Sequence, residues 1–244
     1  MVLDEFRSYT GWNDYANRQQ YAAPADPWRL VHVDPNTIEE YRSVYLLWGL
    51  GRVHGGDWDR EDRKPLDETK IYAGLRERYL DGKPWEETAY YEWGVEGLDG
   101  QESFRGCADI EEFVEGRCAA LDRMVDDLRT NGYRPNRGRL YDSPEDIEYI
   151  HSMEPIVLVD RDGEFLLTEG YHRIVLAQLF DIETVPVYVL QRHERWQRVR
   201  DAVVERGSVP REIQADGNTD AIDVDDTHPD LQDVLETTSV SESS

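Results

Sequence analysis

Lysine is nearly missing from this sequence. Lys64, Lys70 and Lys83 are the only three in 244 residues, beside 24 arginines. All basic residues together number 27 against 52 aspartates and glutamates, a formal net charge of −25 with a pI near 4.5. No long basic block of the kind that tracks a phosphate backbone stands out, so any binding to DNA would rest on shape and few arginines rather than on charge. Acidic excess with few lysines is the composition of proteins from salt-in halophiles, where molar salt screens the self-repulsion of such a surface. The densest basic stretch is Arg134-Pro135-Asn136-Arg137-Gly138-Arg139, which reads either as a solvated loop or as a phosphate-facing one.

Cysteine is almost as scarce. Cys107 and Cys118 stand eleven apart, with no CxxC and no histidine cluster, so a disulfide framework and a zinc knuckle are both excluded and ordinary core thiols expected. No apolar run approaches 18 residues, and the N-terminus has no basic-then-apolar leader pattern, which predicts a cytoplasmic protein with no membrane partner. Neither GxGxxG nor GxxxxGK[ST] occurs, so no standard nucleotide loop is present, and no internal repeat is evident.

What the sequence does have is a clear unit from Pro155 to Leu190. Ile156 to Val159 is an apolar run, Arg161-Asp162-Gly163 is turn chemistry and Glu164 to Leu167 is a second run, which predicts a β-hairpin. The period then becomes helical from Tyr171 to about Phe180, and Val185 to Leu190 returns to a strand. At the hairpin-to-helix junction lie Thr168, Glu169, Gly170, Tyr171, His172 and Arg173. A glycine at a helix start, followed by donors, is an anion-site pattern, because free backbone N–H groups and the helix dipole both favour negative charge.

The remaining segments are less distinctive. Residues 1–26 read as a polar arm dotted with Tyr9, Trp12, Tyr15 and Tyr21, packing in part on the body. Trp28 to Val33 alternates as a strand, and Asp34-Pro35-Asn36-Thr37 supplies cap chemistry for a helix bearing Ile38, Tyr41, Val44 and Tyr45. From Gly49 to Gly56 four glycines fall in eight residues; Asp57 and Asp59, with His54, are candidate divalent-cation ligands there, and a packed turn with solvated aspartates is the ordinary alternative. Helical spacing recurs at 70–80, 85–93 and 110–128, and Ser143-Pro144-Glu145-Asp146 opens a short helix. A last helix runs from about Gln191 to Arg206, and residues 207–244, rich in Asp, Thr, Ser and Glu, read as a disordered acidic tail.

The stretch TEGYHRIVLAQLFDIETVPVYVL resembles the ParB/sulfiredoxin-like superfamily. The likeness rests on Gly170-Tyr171-His172-Arg173 at the helix start and on Val185-Pro186-Val187 downstream. It implies an α+β domain over 27–206 with 65–150 as a helical insertion. Relatives bind CTP, phosphorylate free serine, reduce a sulfinic acid with ATP or cleave DNA. Carried over, Thr168, Gly170, Tyr171, His172 and Arg173 would bind phosphate or nucleotide, and Glu169, His172 and Glu39 would be the catalytic candidates. ATP, ADP or CTP with Mg2+ are the implied cofactors, with Asp57 and Asp59 as metal candidates. Tyr171 stands where sulfiredoxin chemistry needs cysteine, and no helix-turn-helix follows. Two functions are expected: a nucleotide- or phosphate-binding protein of phosphotransferase or nuclease type, or a non-enzymatic DNA- or protein-binding module of a halophilic archaeon or its virus.

Overall fold

The computed structural model describes residues 2–135, 153–215, 218–221, 223–224 and 226–241. Its centre is the hairpin-and-helix unit anticipated above. Strand β5 is Ile156–Val159, β6 is Phe165–Glu169, and β7 is Val185–His193. Antiparallel β5 and β6 lie beside β7, which runs parallel to β5. Short segments flank both sides: β1 (Val31–Val33) runs antiparallel to β7 at one end, while at the other β2 (Glu40–Tyr41) runs parallel to β6 and β4 (Lys64–Pro65) pairs with β2. Strand β3 (Arg52–His54) extends β7 in parallel. The architecture is mixed α+β.

Strands β5 and β7 are apolar at successive positions because both faces of the sheet are covered. The period of two sorts their side chains. Val157, Val159, Val187 and Val189 enter one core with Leu75, Tyr90, Phe113 and Ile174, whereas Ile156, Leu158, Tyr188 and Leu190 enter another with Phe6, Leu50 and Trp58. The first face is roofed by α2 (Lys70–Tyr79), α3 (Ala89–Leu98), α5 (Ala119–Asn131) and α6 (Tyr171–Leu179), with the short α4 (Ile110–Glu112) preceding α5. The second face is closed by α1 (Val2–Gln20).

Helix α1 replaces the arm expected over residues 1–26. Asn13 Nδ2 donates to the carbonyls of Trp48 and Leu50, Asn17 Nδ2 donates to that of Gly51, and Phe6 is fully buried. Gly49, at φ +73, leaves room for this contact; a Cβ there would stand 2.4 Å from the Thr10 nitrogen.

The helix expected after Asp34 is also absent. Asp34 does cap a turn, with Oδ1 accepting from Asn36 N, but the turn ends at Thr37 and Glu40–Tyr41 joins the sheet. Arg42 N donates to Leu167 O at 2.8 Å, so the open edge of β6 outcompetes the local helical period.

The acidic tail is folded wherever it is described. After α7 (Glu194–Arg206), β8 (Glu212–Ala215) and β9 (Asn218–Ala221) pair, and α8 (Gln232–Ser241) follows a turn at Pro229–Leu231. Asp230, at 0% exposure, holds Arg192 through both oxygens and accepts from Trp196 Nε1. One buried carboxylate between two buried arginines anchors a segment whose composition alone reads as unfolded.

Candidate functional site

Helix α6 begins at Gly170, whose φ of +93 is a left-handed conformation and whose Cα faces Pro155 so closely that a Cβ would lie 2.8 Å from it. Arg173 N and Ile174 N both turn back to the Gly170 carbonyl. The N–H groups of Tyr171 and His172, the first two of the helix, are left for a ligand, as helix starts leave them generally. A cavity of about 520 Å3 is lined by Gly170, Tyr171, His172 and Arg173 together with Arg105 and Arg117 from the segment between α3 and α5.

Local backbone irregularity presents both of these arginines. Arg105 has φ +52 and is followed by Gly106 at φ +82, so two successive residues are left-handed. Arg117 lies in a π-helical turn, Phe113–Cys118, that interrupts the run from α4 to α5. Such turns widen a helix by one residue and re-aim the side chains on it. The Arg105 guanidinium stacks 5.5 Å from the Trp93 ring centroid. Arg117 Nη1 donates to the Arg105 carbonyl at 3.4 Å, and its Nε is buried with no hydrogen-bond partner among the described residues. Neither arginine has a carboxylate within ion-pair distance among the described residues, whereas Arg63, Arg161, Arg192 and Arg200 each have one or more.

His172 stands behind them. Its Nε2 is 3.0 Å from the Tyr90 hydroxyl. Burial, then the positive charges of Arg117 and Arg105, push its pKa down to about 3, so the imidazole is neutral at pH 7. Burial pushes the Tyr90 phenol up against the opposing charge and hydrogen bond of Arg117. Which of the Tyr90 hydroxyl and His172 Nε2 donates in this bond follows the imidazole tautomer. Burial likewise raises the Tyr171 phenol, to about 12; its ring packs edge-on to Tyr41 at 5.2 Å.

The residues singled out from sequence divide as follows. Gly170, Tyr171, His172, Arg173 and Glu169 all line the cavity. Arg173 is neutralised, however, by Glu154 at 2.9 Å, which also accepts from Tyr133 Oη at 2.7 Å, so its role is to fasten α6 rather than to supply free charge. Glu169 Oε1 accepts from Gly170 N at 3.1 Å. Thr168 is buried and its hydroxyl accepts from Val44 N, away from the cavity lining.

Glu39 is exposed and lines a separate cavity of about 730 Å3 beside Arg63 and His228. Asp57 and Asp59 are engaged by Arg161, whose Nη2 donates to both at 2.8 and 2.6 Å, while Arg161 N and Nε bind the second oxygen of Asp59. The pair serves as an arginine clamp between the glycine-rich turn and the hairpin, and no group of three metal-ligating side chains occurs among the described residues. Arg134 pairs with Asp127, whereas Arg137, Arg139 and the helix expected at 143–150 lie outside the described residues. Cys107 and Cys118 are buried and unpaired, as their spacing implies.

Arg105 and Arg117 are the residues that sequence reading missed. A signal exists: Phe104-Arg105-Gly106-Cys107 and Glu115-Gly116-Arg117-Cys118 both set an arginine against a glycine beside a buried cysteine. Comparison with protein-family models, curated proteins and solved structures finds no match.

Proposed function

We propose that this protein binds a phosphate-bearing small molecule, a nucleotide or another phosphorylated compound, in the cavity at the start of α6. The observation that carries the reading is the pair Arg105 and Arg117. In a chain with 52 acidic residues they have no acidic partner among the described residues, and they line the same cavity as the start of helix α6. Guanidinium groups and helix N-termini are both common phosphate-binding devices, and here both line one cavity. Neutral His172 adds hydrogen-bonding capacity rather than charge. Glu169 is the one carboxylate lining the cavity among the described residues and is the group on which phosphoryl transfer or hydrolysis would depend for a base.

A thermal-shift series in molar KCl tests this with inorganic phosphate, ATP, ADP and CTP, each with and without Mg2+. At least one phosphate compound raises the melting temperature of the native chain, and Arg117→Gln abolishes the rise while the unliganded melting temperature stays within a few degrees. Absence of any shift sinks the reading. A shift retained in the variant moves the ligand elsewhere.

A further inference from the structure

The walls of the same cavity differ in character. Arg105, Arg117 and residues 169–173 supply the polar lining; Ile71, Trp93, Met124 and Met153 supply the apolar lining, with the Trp93 indole its one hydrogen-bonding group. Among the described lining residues no asparagine, glutamine, serine or threonine is present to read a ribose hydroxyl or a base edge. Sites that select nucleosides pair such groups, because a buried unpaired polar group is costly. Two methionines are instead an adaptable apolar lining, suited to a body without directional contacts.

Charge points the same way. A single phosphate monoester carries roughly 1.5 to 2 negative charges at neutral pH, which two unpaired guanidiniums balance. A metal-free nucleoside triphosphate exceeds that balance. A metal-bound one brings a cation whose one carboxylate neighbour among the described lining residues, Glu169, already accepts from Gly170 N.

Resting on the phosphate-binding reading, we infer that the ligand is a monophosphate ester with an apolar aryl or alkyl body. Its phosphate sits on Arg105, Arg117 and the N–H groups of Tyr171 and His172, and its body lies against Ile71, Trp93, Met124 and Met153. Ligand choice is then made by the segment from α2 to α5, since Ile71, Trp93 and Met124 as well as both arginines belong to it.

Isothermal titration of the full chain in molar KCl with inorganic phosphate, phenyl phosphate and the Mg2+ complexes of ATP and CTP tests the inference. Phenyl phosphate binds about tenfold or more tighter than inorganic phosphate, as burial of a ring demands, and tighter than either triphosphate. Met124 is 38% exposed, so Met124→Gln leaves the fold intact; it lowers phenyl phosphate affinity several-fold and leaves inorganic phosphate unchanged. If a triphosphate binds tightest, or phenyl phosphate binds no better than phosphate, the inference is overturned while the phosphate reading stands. If no compound binds, both fall.

Discussion

Gly170 meets two demands that no other residue type meets together. Its left-handed φ turns the chain from β6 into α6, and its missing side chain admits Pro155. Gly170→Ala is expected to destabilise the protein by roughly 2–4 kcal/mol, combining left-handed strain with overpacking, measured as a lowered denaturation midpoint. His172 makes a second residue-scale prediction. Its folded pKa, near 3, lies below its ordinary value near 6.5. The unfolded chain therefore binds the extra proton first, and the contribution of this residue to stability is present above about pH 6.5 and lost as pH falls toward 3. In the unliganded protein its ring resonances hold their neutral positions down to about pH 4.5, and His172→Gln flattens the fall in stability over that window; a midpoint near 6.5 would contradict the described environment. Gly170 and His172 were both legible in the sequence, because a glycine and its following donors form a local pattern. Arg105 and Arg117 were not, since what makes them notable is the lack of an acidic neighbour in space.

At the scale of elements, the sequence spoke clearly where the hydrophobic period was unbroken and the segment long. The hairpin of β5 and β6 and helix α6 lie where the periodicity set them, whereas the helix expected from Gln191 begins at Glu194, because β7 continues through His193 in the sheet. Reading failed where a distant partner decided the outcome. Ile38, Tyr41, Val44 and Tyr45 have helical spacing, yet the edge of β6 takes Glu40 and Tyr41 as a strand. The π turn over Phe113–Cys118 was hidden in a run that otherwise scans as one helix, with Gly116 the lone hint. Gly116 is exposed and a Cβ there would meet nothing within 4 Å, so it can be removed without opening the core. Its deletion restores α-helical spacing and turns Arg117 by about 100° relative to α4. The expected result is unchanged far-UV circular dichroism with loss of the phosphate-induced thermal shift.

Across the whole molecule, acidity is matched by arginine at chosen points, and the C-terminal segment is held by one of them. Arg192 and Arg200 converge on Asp230 beneath Trp196, and Arg200 also meets Asp233 at the start of α8. Asp230→Ala strands the buried Arg192 guanidinium and leaves Arg200 with Asp233 as its one carboxylate partner among the described residues. The expected loss is about 3–5 kcal/mol, with proteolysis beginning in residues beyond Gly207. Composition predicted disorder there because it counts residues without knowing which are enclosed. No helix among the described residues is long and apolar enough to cross a membrane.

The central claim is that an arginine pair from the segment between α3 and α5 completes an anion site on α6. Titration calorimetry of phenyl phosphate against the native chain and an Arg105→Gln/Arg117→Gln double variant, both in molar KCl, tests it most directly. The account predicts one site per chain in the native protein and no measurable heat in a variant that retains its fold. Equal binding by the two proteins, or none by the native chain, would contradict it.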